Sequence, residues 1–357
     1  MIKTLTIILF AWFLCMPNIQ GQTTFRVMFY NVENLFDTTD NPHTSDEEFT
    51  PTGSRHWTPK RYYHKTLQIA RVITAAGEWS TPALIGLCEV ENDSALYHLL
   101  YHTPLRHQHY QYCITHGQDN RGINVALLYQ RDQFRYLGHN EYPIRFMYAS
   151  PKSTRKILHV WGEIITGNRL DLFICHFPSR YGGEKESETI RMDAARTLRL
   201  LCDSIHLLHP TPHILIMGDF NDTPENFCIR SILNAYPFSI PWASDLPPIT
   251  TKLSSIQKGS LLLYNLFTSK NTIGSHKYQG EWNQLDQFIV SSSFIDSQSS
   301  IQLLPESIQT FSPSFLLKED KTWHGKRPFR SYYGFKYESG YSDHLPIIVD
   351  LMIKYPP

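Results

Sequence analysis

Five short stretches of this sequence place carboxylates, amides and imidazoles at the margin of an apolar run. Asn31-Val32-Glu33-Asn34 follows Phe29-Tyr30, Glu89-Val90-Glu91-Asn92 follows Leu84 to Cys88, and His176-Phe177-Pro178-Ser179-Arg180 follows Leu172 to Cys175. Asp219-Phe220-Asn221-Asp222 follows Ile214 to Gly218, and Tyr341-Ser342-Asp343-His344 precedes Leu345-Pro346. A carboxylate or amide after a strand is often only a helix cap or turn former, and Asp222 and Asn92 are read that way. The number and chemistry of the others favour a shared site, because strand ends of an α/β sheet gather at one edge, where ligands bind. On an extended strand end Asp219 and Asn221, two apart, face the same way. Ser342-Asp343-His344 sets an acid beside a base within one turn.

The donors are hard oxygens, which suit magnesium, manganese or calcium. Such ions neutralise phosphate oxygens. The sequence has no HExxH pair, no GxSxG nucleophile elbow and no GxxxxGK[ST] phosphate loop, which argues against zinc-protease, serine-hydrolase and nucleotide-switch chemistry.

These groups need a scaffold. Strand-like runs recur at Phe25–Asn31, Ala83–Cys88, Tyr110–Thr115, Ile123–Tyr129, Ile157–Ile165, Leu170–Phe177, His213–Phe220, Leu285–Ser291 and Leu345–Ile353. Helical patterns intervene at Thr58–Ala76, opened by a Thr-Pro cap pair, at Asp93–Tyr101, and at Glu184–Leu208 with an apolar stripe through Met192, Ala195, Leu198 and Leu201. Strands both adjacent and helix-separated indicate a mixed α/β sheet system in one domain, residues 22–357. Pro305–Tyr341, where Lys318, Lys321, Lys326, Arg327, Arg330 and Lys336 interleave with Trp323, Phe329, Tyr332, Tyr333 and Phe335, reads as a long loop.

Apolar residues make up 41% of the 357 residues, enough for a substantial core and against disorder. With 33 basic and 33 acidic side chains the chain lacks the basic surplus of a protein that coats nucleic acid. Lys3, the apolar run from Ile7 to Met16 and Gly21 read as a secretory signal peptide over residues 1–21, since that run is far short of the roughly 20 residues that span a bilayer. No transmembrane anchor is expected, and the mature protein is expected to be secreted or periplasmic. Cys88, Cys113, Cys175, Cys202 and Cys228 remain in it; no pair has CxxC spacing, and they read as small buried hydrophobes, with one disulfide left open.

As an ordered set, Asn-x-Glu at 31–33, Cys-Glu-Val at 88–90, His-x-Pro at 176–178, Gly-Asp-Phe-Asn at 218–221, Leu-Asp-Gln at 285–287 and Ser-Asp-His at 342–344 resemble the endonuclease/exonuclease/phosphatase superfamily, from Phe25 to Ile353. The resemblance implies a four-layer αββα sandwich, two mixed β-sheets flanked by helices. It implies a divalent cation, Mg2+ or else Mn2+ or Ca2+, held by Glu89 with help from Glu33 or Asp343. In the family Glu89 usually follows Gln; here Cys88 stands there. Asp219 then matches the residue that orients the attacking water, Asn221 its oxyanion donor, His176 a phosphate contact, and Asp286 the acid that orients His344. Asn31 matches a phosphate-holding amide. Arg180, Arg327 and Arg330 are candidate substrate grips. The implied activity is in-line hydrolysis of a phosphate ester by a monomer. A nuclease-like phosphodiesterase acting on DNA or RNA is the leading expectation. A phosphatase or phospholipase-type enzyme acting on a sugar phosphate or lipid headgroup, and an inactive binding module on the same fold, are the alternatives.

Overall fold

Strict alternation of apolar side chains places one strand between two packed layers. In the computed structural model, which describes residues 22–117, 119–147, 154–239, 259–268 and 273–355, strand β1 (Gln22–Leu35) turns Phe25, Val27 and Phe29 to one face and Met28, Tyr30 and Val32 to the other. The segment read as a signal, residues 1–21, lies outside the described residues. The other strands in chain order are β2 (Leu84–Val90), β3 (Tyr110–Ile114), β4 (Asn124–Gln130), β5 (Phe134–Tyr142), β6 (Ile157–Ile164), β7 (Arg169–His176), β8 (Ile214–Asp219), β9 (Ala235–Pro237) and β10 (Leu263–Asn265). They continue as β11 (His276–Tyr278), β12 (Glu281–Asn283), β13 (Asp286–Ser291), β14 (Ile301–Thr310), β15 (Leu317–Glu319), β16 (Lys326–Pro328), β17 (Tyr332–Tyr333), β18 (Lys336–Tyr337) and β19 (Ile347–Lys354). The α-helices are α1 (Pro59–Gly77), α2 (Asp93–Tyr101) and α3 (Glu184–Leu208).

A six-stranded sheet runs β14-β19-β1-β2-β4-β3, and a seven-stranded sheet runs β5-β6-β7-β8-β13-β10-β9. Between them lies a core that takes Val27, Phe29 and Leu127 from the first sheet and Leu172, Met217 and Phe288 from the second. Here the sheets approach so closely that a Cβ on Gly86 would sit 2.5 Å from the Met217 sulfur. The outer face of the first sheet packs on α1 and α2 through Met28, Ile69, Ile73 and Leu96. The outer face of the second packs on α3 through Phe173, Ile216, Ala195 and Leu198. The result is the expected two mixed sheets with helices outside both.

Each sheet holds a parallel pair joined by a helical crossover: β1 to β2 through α1, and β7 to β8 through α3. Thr58 caps α1 by accepting from the Arg61 amide, and Asn92 caps α2 by accepting from the Ala95 amide at 2.9 Å. Asp222, in contrast, is no simple turn former: it is buried and ion-paired with Arg191 at 2.9 Å. The stretch 305–341 is also not one long loop. Pro305 lies within β14, at an irregularity in its pairing with β19, and the remainder folds into the hairpins β15–β16 and β17–β18. All five cysteines from Cys88 onward are buried and unpaired.

Candidate active site

The parallel pairs aim their carboxyl ends at one edge of the sandwich. His176 and Asp286 both pair in register with Asp219, one from each side, so β7, β8 and β13 deliver an imidazole and two carboxylates on a single rung. Across the interface Asn31 pairs with Cys88, the residue before Glu89. The β2–β4 ladder skips Glu89, passing from Cys88–Val125 to Val90–Asn124. Glu89 takes φ +61 in this bulge, and Glu33, Asn34 and Asn221 also have positive φ, at +49, +55 and +51. Bulges re-aim side chains, and left-handed conformations at non-glycine residues cost free energy that only surrounding structure sustains.

The side chains converge on one oxygen. Oδ2 of Asp219 accepts from Nδ2 of Asn31 at 3.1 Å and has Nε2 of His176 at 3.7 Å and Nε2 of His344 at 3.8 Å. Asn31 Nδ2 also reaches Oε1 of Glu89 at 3.5 Å, and the other Glu89 oxygen accepts from the Asn34 amide at 2.9 Å. Nδ1 of His344 is 2.6 Å from Oδ2 of Asp286. Ser342 holds this turn by donating to the Asn31 carbonyl and accepting from the His344 amide.

Burial pushes the Asp219 carboxyl up to about 6; His344 opposes this and Asp286 reinforces it. Burial alone would lower His344, yet Asp286 and Asp219 hold it well above an ordinary imidazole. Burial drives His176 well below the usual histidine range, with Arg155 and Arg121 acting in the same direction, so this ring is neutral. Its Nδ1 is buried without a partner. Glu33 is pushed up to about 7, first by burial and then by Asp343. Burial opposes ionisation of Asp343 too, but Arg330, His344 and His276 hold its carboxyl below the usual range.

Ligand atoms of Asp219, Asp286 and His344 lie within 4.8 Å of one another, a spacing compatible with a metal ion. The His344–Asp286 hydrogen bond uses Nδ1, which leaves Nε2 as the ring nitrogen that faces this space. The donors fit such an ion, because carboxylate oxygens of Glu89 and Asp219 stand together at this edge.

Of the residues singled out in the sequence, Asn31, Glu89, His176, Asp219, Asp286 and His344 form one contact network. Asn221 is not extended beside Asp219. Its amide N–H folds back to Oδ1 of Asp219, and its side chain donates to the Phe177 carbonyl, leaving one amide hydrogen over. Arg330 reaches Asp343 at 3.4 Å. Arg180 is engaged by Glu184, Asp222 and the Asn221 carbonyl, and therefore braces the wall. Arg327 pairs with Glu338 at 2.7 Å and lies over the Tyr333 ring, tying the β15–β16 hairpin to the β17–β18 hairpin. Glu33 accepts from the Ser331 amide at 2.7 Å and faces Lys65.

Three neighbours carry no sequence signal of this kind. Arg121, in the turn before β4, contacts Asn34 and lies 3.5 Å from Glu89. His276 bridges His344 across strands and lies with its ring centroid 4.7 Å from the His344 ring. Lys65 points inward from α1, where helical spacing alone would suggest an ordinary surface lysine.

The sequence model described as Endonuclease/Exonuclease/phosphatase family matches residues 26–353. No curated protein matches the chain. Among solved structures, an endonuclease/exonuclease/phosphatase family protein from Bacteroides thetaiotaomicron superposes with TM-score 0.55 at 13% identity, covering 94% of this chain and 97% of that one. A mannosyl-6-phosphatase from the same species gives 0.54 at 14%, covering 92% and 99%. D. rerio TDP2 complexed with a single-strand DNA product gives 0.51 at 11%, covering 92% and 99%. At these identities the likeness is one of fold.

Proposed function

The chain belongs to the endonuclease/exonuclease/phosphatase family, and from that premise we propose that it is a divalent-metal-dependent, nuclease-like phosphodiesterase that hydrolyses P–O bonds by in-line attack of water. The observation that carries this reading is the convergence of Asn31, His176 and His344 on one oxygen of Asp219, beside Glu89. Residues 22–357 act in this reading as one catalytic domain.

Glu89 would hold the cation, Mg2+ in the first instance, and the bound ion would neutralise a phosphate oxygen. Asp219 orients the water, since a carboxylate poised near 6 is ionised at neutral pH and still basic enough to accept a proton. His344, cationic and held by Asp286, supplies positive charge on the same side. Neutral His176 and the spare amide hydrogen of Asn221 donate to the crowded anionic transition state, and Asn31 holds Asp219 and Glu89 beside it. Arg330 and Arg121 flank the pocket and attract the anionic substrate.

The test is turnover of bis(p-nitrophenyl) phosphate before and after EDTA and after Mg2+ is restored. Hydrolysis that chelation abolishes and Mg2+ recovers supports the reading. Silence with Mg2+, Mn2+ and Ca2+ sinks it in favour of a binding module. Single-stranded oligonucleotide, plasmid, sugar phosphate and phospholipid compared side by side then check the diester preference. We also propose export with loss of residues 1–21, which the amino-terminal sequence of protein recovered outside the cytoplasm checks.

A further inference from the structure

Lys65 is 1% exposed, a position that strands an ammonium unless oxygens replace its water. Three segments provide them. Nζ donates to Oγ of Ser331 at 2.6 Å and to the Tyr341 carbonyl at 2.5 Å, and it stands 3.7 Å from Oε2 of Glu33. That same Glu33 oxygen accepts from the Ser331 amide. The ammonium is thus surrounded much as a hard cation would be, by a carboxylate, a hydroxyl and a carbonyl.

The space next to Glu33 is correspondingly small. A cavity of about 10 Å³ lies there, walled by Phe49, Trp57, Tyr332 and Arg55. That volume admits about one water, whereas magnesium keeps several waters when it binds. Glu89 has different neighbours: its carboxylate meets Asn31, Asn34 and His176 at the catalytic edge.

We propose that the Lys65 ammonium takes the electrostatic place of a second cation, withdrawing Glu33 from metal coordination and leaving a single-ion site built on Glu89. Of the two helpers that the family resemblance implies for Glu89, Glu33 or Asp343, this removes Glu33, and it rests on the metal-dependent reading above. Through the Tyr341 carbonyl the same lysine also anchors the turn that carries Asp343 and His344.

The test counts ions directly. Mn2+ is titrated into the full chain without substrate, and free Mn2+ is followed by electron paramagnetic resonance. Wild type binds one ion, and Glu89→Gln loses it. Glu33→Gln keeps it with affinity within about threefold, less than the ~10-fold that a ligand or its immediate support contributes. Lys65→Met, which retains length without charge, frees Glu33 and either admits a second ion or tightens the first at least ~10-fold. Two ions on wild type, or a ~10-fold weakening by Glu33→Gln, overturn the Lys65 assignment alone. No binding to wild type overturns the metal reading with it. Glu33→Gln decides the matter if Lys65→Met fails to fold.

Discussion

Asp286 grips Nδ1 of His344 at 2.6 Å, which leaves Nε2 facing Asp219 across 3.8 Å. One carboxylate therefore fixes the ring while another meets its free edge. Replacing His344 by Ala should leave the fold intact and lower turnover of a phosphodiester about 100-fold or more, the usual loss of one transition-state donor. Activity within tenfold of wild type, with unchanged circular dichroism, would remove His344 from the mechanism.

Glu89→Gln keeps the size of the side chain and removes its charge. The Mg2+ concentration for half-maximal activity should rise at least ~10-fold. An unchanged Mg2+ dependence would move the ion elsewhere.

The two arginines of the 327–330 segment separate binding from stability. Arg330→Ala, which removes the partner of Asp343, should raise KM at least ~10-fold with kcat within about threefold. Arg327→Ala breaks the pairing with Glu338 and should leave KM near wild type. Equal KM increases in both would show that the whole 327–330 segment meets substrate.

Asp222 and Arg191 are buried together, 2.9 Å apart, with Arg191 also held by Ser187 and the Glu184 carbonyl. Asp222→Ala should cost about 3–5 kcal/mol in chemical denaturation, because it leaves an uncompensated buried guanidinium. A loss below about 1 kcal/mol would place the pair among exposed ones in its effect.

His213 contributes one pH-dependent part of the stability. Burial lowers its pKa to about 4 from an unfolded value of 6.5. The unfolded chain binds the proton first, so this contribution is complete above pH 6.5 and is lost as pH falls toward 4. The difference in unfolding free energy between wild type and His213→Gln should shift against wild type by up to about 3 kcal/mol over that window. A pH-independent difference would refute the assignment.

Much of the scaffold was legible because apolar alternation and caps are local signals. Glu184–Leu208 and Asp93–Tyr101 match α3 and α2, and the strand ends that carry His176 and Asp219 fall where the apolar runs stop, whereas β1 runs past Asn31 to Leu35. Phe134–Tyr142 escaped notice since it is an edge strand, half exposed and rich in polar residues. The left-handed turn at Glu89 depends on which residue of β4 opposes its neighbours, information absent from a local window. Asn221 misled for the same reason, because i, i+2 facing holds only while the backbone stays extended. Lys65 shows the limit most clearly: a lysine in an amphipathic helix carries no mark of the carboxylate, hydroxyl and carbonyl that fold against it from Glu33, Ser331 and Tyr341.

The shared rung of His176, Asp219 and Asp286 makes the sheet a ruler. Neighbouring strands are spaced at about 4.8 Å, so the anchor points of these three groups stand at integral multiples of a fixed step. Such spacing cannot be adjusted by degrees. The hairpins β11–β12, β15–β16 and β17–β18 lie outside that ladder and can lengthen, shorten or change residues without altering the measure beneath them.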